Sequence, residues 1–124
     1  MPAATGDVLS AAMYNSLVTF TVTTQSATTY TVANADLYQV AILTSNASTK
    51  IVTIAPDSTL TSAAVGSAIT FINTGAGLLT FAAGSGVTIT SGGAVSASPT
   101  LAQFKACTAV RTAANTWIII GAVA

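Results

Sequence analysis

Histidine and glutamate are both absent from this chain of 124 residues, and cysteine occurs once. Charged residues make up only 5% of it, three basic and three acidic, where an ordinary soluble protein carries roughly 25%. Each shortage excludes a class of chemistry. General acid–base catalysis needs a titratable group tuned near neutral pH, and the candidates are almost gone. A serine nucleophile has no histidine base; only a Ser–Lys pair through Lys50 or Lys105 is formally left. Zinc lacks its Cys and His ligands and calcium a cluster of carboxylates, so no cofactor is expected. Asp7, Asp36 and Asp57 each fall in a cap or turn, where a structural role is the ordinary one. Three basic residues leave no electrostatic footprint for nucleic acid. No enzyme is expected.

The single cysteine, Cys107, rules out an internal disulfide, and its setting reads as buried and inert. The longest apolar run, Trp117 to Ala124, is far short of the ~20 residues of a spanning helix. The strands are also too short, and the aromatics at 6% too few, for a membrane barrel. Residues Met1 to Gly6 lack the basic start and apolar run of a signal peptide, so synthesis in a cytoplasm without export is expected.

What is present is hydrophobic, at 52%, and rich in Thr, Ser and Ala. A surface with so little charge lacks the self-repulsion that keeps monomers apart. Thr and Ser hydrate adequately yet enter protein contacts without an ion's desolvation cost. Much of this surface is therefore expected to be buried against other copies or a larger scaffold.

Residues 1–17 differ from the rest. Asp7 is placed to cap a short helix whose Val8, Leu9, Ala12, Met13 and Leu17 share one stripe. Two to three turns are too short to stand alone, so this arm docks either on its own domain or on a neighbour. From residue 18 to 124 the period is two. Val18, Phe20 and Val22 alternate with Thr19, Thr21 and Thr23, which predicts one buried face and one Thr-lined face. Further strands are expected at Thr29–Val32, Leu37–Leu43 and Lys50–Ala55, the last stopped by Pro56. Ser67 to Thr90 reads as a meander of three strands joined by the turns Asn73–Gly77 and Gly84–Gly86, whose glycines tolerate positive φ. The segment Ser91 to Pro99 is a candidate exposed loop. Leu101–Arg111 and Thr116–Ala122 follow as a long strand and a closing strand. The run Trp117, Ile118, Ile119, Ile120 has no alternation and is expected to be buried on both faces, at a sheet centre or under a neighbouring subunit. Trp117, Ile118 and Ile120 are thus candidate oligomer-interface residues. The pattern describes an all-β domain, a β-sandwich or small barrel of about eight or nine short antiparallel strands. No fixed-length repeat recurs, which argues against a β-solenoid.

Two binding ideas remain from the residues alone. Thr19, Thr21 and Thr23, with Thr29, Thr31, Thr88 and Thr90, offer a hydroxyl array for ice or carbohydrate, although β-propensity alone selects solvent-facing threonine. Tyr14, Tyr30, Tyr38 and Trp117 are the candidates for a sugar site, with core or interface roles the simpler reading. A small-molecule ligand is not expected.

Several segments, in order, resemble a small β-domain common in virion proteins of tailed bacteriophages. Thr29-Tyr30-Thr31-Val32, Ala33-Asn34-Ala35-Asp36 and Val40 match its opening. Val52–Pro56, Val65–Ile69, Gly75–Gly77, Gly86–Ile89 and Asn115–Trp117 continue it, and Gly6–Asn15 is similar to the segment that often precedes it. Leu37-Tyr38 stands where the family often has Gly-Lys, and the family usually carries more charge. The resemblance implies a non-enzymatic virion protein, often a homotrimer. It implies either a decoration (cement) protein on the capsid surface, bound to the major capsid protein, or a tail-fibre or baseplate component, the latter with a possible receptor glycan. The chain holds one such module and a short arm, which favours decoration. On that reading Val8, Leu9, Met13, Tyr14 and Leu17 are the candidates for contact with the capsid or a sister subunit. A non-viral appendage subunit is the remaining alternative.

Overall fold

Short Thr-, Val- and Ile-rich stretches, each a few residues long and bounded by Gly, Pro, Asn or Ser, suit strands that pack on one face. The structure, a computed structural model, describes residues 20–37, 40–91 and 98–124, and within them ten strands form. They are β1 (Thr21–Gln25), β2 (Thr29–Thr31), β3 (Val40–Thr44), β4 (Lys50–Ile54), β5 (Ala68–Asn73), β6 (Leu79–Ala83), β7 (Thr88–Ser91), β8 (Thr100–Leu101), β9 (Ala106–Ala113) and β10 (Thr116–Gly121). A 3-10 turn, Asn34–Leu37, stands where a polar turn was expected and takes Leu37 out of the third strand.

Two sheets result, one of six strands in the order β1-β3-β5-β9-β10-β7 and one of four in the order β2-β4-β6-β8. The all-β, two-layer class expected from the sequence is what forms. A common core joins the layers: Ile42, Ile69, Phe71, Trp117 and Ile119 from the larger sheet meet Val52, Ile54, Leu79, Phe81 and Leu101 from the smaller. Phe71 and Phe81 meet edge-to-face across it, with centroids 5.0 Å apart at 74°, the geometry that ring quadrupoles favour.

The strand pairing differs from the expected antiparallel one. From β1 to β6 successive strands alternate between the sheets, and β1, β3 and β5 pair in parallel, as do β2, β4 and β6. Parallel neighbours need a crossover, and here the crossover is a strand of the opposite sheet. The first six strands therefore wind as coils, the solenoid-like path that the lack of a fixed repeat argued against. The coils are unequal: Thr21 pairs with Val40, an offset of 19 residues, whereas Ala41 pairs with Thr70, an offset of 29. A winding of variable coil length leaves no period to detect. Antiparallel pairs close the fold, β5 with β9, β9 with β10, and β6 with β8.

The supposed meander is corrected in the same way. β5, β6 and β7 lie in the larger, smaller and larger sheet, so residues 74–78 arch between layers instead of turning a hairpin. Gly75 and Gly77 have ordinary negative-side backbone; among the described glycines only Gly66, Gly86 and Gly121 have positive φ. Their requirement is space. A Cβ on Gly75 would lie 2.1 Å from the Asn46 carbonyl oxygen, and one on Gly77 1.9 Å from that of Ser48. The arch after β5 rests directly on the arch after β3.

The long strand expected over Leu101–Arg111 is two strands, β8 in the smaller sheet and β9 in the larger. Residues Ala102–Lys105 cross between them, with Phe104 at φ 62 and 77% exposed. The closing strand forms as expected, after a turn at Ala114–Asn115 in which Asn115 takes φ 50.

Candidate interaction surfaces

Strand alternation sends every second side chain of a sheet away from the core, and the register fixes which ones line up. On the outer face of the larger sheet, Val22, Ala41, Thr70, Thr108 and Ile120 form one row, in which Ala41 is itself buried. Thr24, Leu43, Ile72 and Ala106 form a second row. Ala68, Val110, Ile118 and Thr90 make a third. No charged side chain stands in these rows. The Thr70 and Thr108 hydroxyls hydrogen-bond to each other at 3.3 Å, which spends them within the face.

This face revises two expectations. Val22 was expected in the core and the threonines of its strand outside. The reverse holds, because Thr23 pairs with core Ile42 while Val22 is 61% exposed and Phe20 53%. The inward side of β1 lies at the edge of the core, where it carries Thr21, Thr23 and Gln25; the Thr23 hydroxyl is buried without a partner. In β10, burial on both faces is corrected to alternation. Trp117 and Ile119 are fully buried, whereas Ile118 is half-buried and Ile120 48% exposed. Trp117 is therefore a core residue, with its indole N–H unpartnered, and is withdrawn from the interface candidates. Ile118 and Ile120 keep the outward position an interface requires. Val8, Leu9, Met13, Tyr14 and Leu17 lie outside the described residues, as do Val18, Thr19 and Tyr38 and positions 92–97 of the candidate loop.

The outer face of the smaller sheet is chemically different. One row runs Thr29, Ile51, Thr80, Thr100 and the next Thr31, Thr53, Ala82. Thr100 donates to the Ala124 carbonyl at 3.1 Å, while the hydroxyls of Thr29, Thr31, Thr53 and Thr80 bond no described protein atom. The T-x-T segments are divided between sheets, since Thr88 and Thr90 belong to β7 of the larger one.

Most of the described titratable groups are occupied structurally. Arg111 grips Asp57 through Nη2 at 2.7 Å and Nε at 3.2 Å. The Asn115 backbone N–H adds a bond to the same carboxylate at 3.0 Å. The Asn115 side chain in turn accepts from the Asp57 N–H at 2.7 Å, so the loop after β4 is tied to the β9–β10 turn. The Arg111 hydrogen bonds hold the Asp57 carboxyl below its ordinary pKa, with partial burial opposing and the Asn115 N–H assisting. Tyr30 donates to Asp36 at 2.6 Å, and burial together with that carboxylate raises the phenol's pKa.

Lys50 shares the inward parity of Val52 and Ile54 and is only 1% exposed. Its Nζ donates to the carbonyls of Asn46 at 2.5 Å and Gly77 at 2.8 Å, joining the two stacked arches, and burial lowers its pKa. Asn73, fully buried, donates to the Gly77 and Leu101 carbonyls at 2.9 Å each and accepts from Thr44 at 3.2 Å. Sequence reasoning missed this pair of staples. The visible signal was a lysine on the buried side of a period-two strand. Cys107 is buried as expected, and its thiol is pushed up to about 12 by that burial. This keeps it out of the nucleophilic thiolate form.

Among the described residues there is no group of three or more His, Cys, Asp or Glu able to hold a metal, and no helix long and apolar enough to cross a membrane. No protein-family model, no curated protein and no solved structure matches the chain.

Proposed function

We propose that this chain is a non-enzymatic structural subunit of a tailed-phage virion, a decoration protein that binds and stabilises the capsid surface. The observation that carries the reading is the fate of its charges. Of the charged residues described, Asp36 and Lys50 are buried and Asp57 and Arg111 are spent on each other. Lys105 is the one exposed charge without an ionic partner among the described residues. A surface this neutral is suited to permanent residence in an assembly and poorly suited to life as a dilute monomer. The ordered resemblance to small phage virion domains supports the same reading.

The mechanism is mechanical. A subunit that binds only the assembled shell stabilises that shell by mass action, and many copies multiply the effect. Sister copies pack together, a homotrimer on the family's pattern, and residues 1–17 supply the contact to the major capsid protein. Mass spectrometry of purified virions tests this through copy number relative to the shell protein. Comparable copy numbers are expected. Far fewer copies would reassign the chain to the tail or baseplate, and absence from particles would overturn the virion reading.

A further inference from the structure

We infer that the outer face of the six-stranded sheet is where a second copy of this chain sits. The inference deepens the virion reading by naming the surface through which copies meet, and three independent features of the face support it.

The first is strand chemistry. In β1 the apolar residue Val22 points outward, and in β10 Ile118 and Ile120 do. These strands stand toward opposite flanks of the sheet, and each presents to the outside side chains of the kind a strand normally buries. Val22 at 61% exposed and Ile120 at 48% are left open by the single chain.

The second feature is charge. A contact between identical copies about a symmetry axis brings equivalent residues together near that axis, so any charge there meets its own like charge. The three rows across this face contain none. Nucleic acid or another acidic partner would find nothing to pair with, whereas an identical apolar plate matches it.

The third is size. Six strands at ~4.8 Å spacing and about five residues at ~3.3 Å make a plate of roughly 500 Å² in projection. Side-chain relief adds to that, bringing the accessible area toward the ~800 Å² per partner of a standard interface. The opposite sheet makes the contrast, since the hydroxyls of Thr29, Thr31, Thr53 and Thr80 there bond no described protein atom.

Sedimentation velocity on the full chain tests the inference, with Val22→Lys and Ile120→Lys as variants. Both positions are exposed in the single chain, so each variant is expected to keep the wild-type circular dichroism and melt as a folded domain. Thr31→Lys, on the other sheet, is the control. The wild type is expected to associate, Val22→Lys and Ile120→Lys to weaken association by roughly tenfold or more, and Thr31→Lys to leave it unchanged. A monomeric wild type overturns the inference, whether the face is then covered by residues 1–19 or by another protein. So does association that survives both lysines. Because purified protein suffices, an oligomer broken by Val22→Lys in a chain missing from particles would retain the interface and remove the virion reading.

Discussion

Replacing Gly77 with alanine adds one methyl group where two arches of the chain touch. The new Cβ would lie 1.9 Å from the Ser48 carbonyl oxygen and 2.1 Å from its carbon, both backbone atoms that no side-chain rotation can move. Separations below 3.0 Å are essentially never seen for real Cβ atoms, so the upper arch must lift by about 1 Å, an overpacking that costs ~1–3 kcal/mol. Lifting it also breaks the bond from Lys50 Nζ to the Gly77 carbonyl, at 2.8 Å, a charge-assisted contact of about 1.5–3 kcal/mol. Alanine restricts the unfolded chain and returns about 0.4–1 kcal/mol. The expected net loss is roughly 3 kcal/mol. Gly86→Ala is the comparison: its Cβ meets nothing within 4 Å, but φ is +76, for which a side chain costs ~1–2 kcal/mol. Urea unfolding followed by the fluorescence of Trp117, fully buried and the sole tryptophan, measures both. At an m-value of about 1.5 kcal/mol/M the Gly77 variant should lose about 2 M in midpoint. Protein concentration is held constant, because association shifts apparent stability. If Gly77→Ala costs no more than Gly86→Ala, the stacked-arch geometry is wrong and the glycine serves a turn after all.

Two further perturbations probe the polar ties. Asn73→Leu keeps the number of side-chain heavy atoms but adds bulk and strands the Leu101 carbonyl and the Thr44 hydroxyl in the interior; chemical denaturation should register a loss of roughly 3 kcal/mol, and a loss below about 1 kcal/mol would mean those bonds are not made. Asp57, held below its ordinary 3.8 mainly by Arg111, contributes stability that is complete above that value. As pH falls past 3.8 the unfolded chain takes up the proton first, so the contribution disappears down to the folded-state pKa. Thermal melts at decreasing pH should therefore show wild type and Asp57→Asn separated at neutral pH and converging in acid; a constant gap across the range would show that the ion pair is not the source.

The strands were legible because period two is a local property. Val52 and Ile54, Ile69 and Phe71, Leu79 and Phe81 each alternate with smaller or polar residues, and each pair is buried. Which strand pairs with which, and in what direction, is not local. Parallel and antiparallel neighbours share the same alternation, so a chain that winds between layers reads like one that meanders. The unequal coils removed the repeat that distinguishes them. Glycine posed a similar ambiguity, since the same letter serves positive φ at Gly86 and backbone contact at Gly77. Of the interface candidates described, Ile118 and Ile120 face outward and Trp117 does not. An unbroken apolar run states that both faces prefer cover without stating which one the chain itself provides. For β1 the inversion has a definite cause. Its register with β3 aligns Thr23 with Ile42 at the margin of the core, and the hydrophobic side is left outside.

That inversion bears on function more than any single residue. A strand whose apolar side points away from its own core is out of balance as a monomer, and β10 adds to it, since Ile118 and Ile120 stand outside while Trp117 and Ile119 already fill the core. The smaller sheet shows no such pattern, presenting threonines with only Ile51 and Ala82 among them. Threonine satisfies both requirements of an exposed strand, β-branching for the pleat and a hydroxyl for water. On the proposed reading the two layers are specialised in opposite directions, one toward other protein and one toward solvent. A monomeric binding module has no use for that asymmetry, because it leaves one broad apolar face uncovered. A subunit of a layered assembly does, since its apolar side is covered on assembly and its hydroxyl side becomes the surface. Hydration of those hydroxyls then replaces charge repulsion as the barrier to further association, and a lysine placed among them should not disturb the assembly.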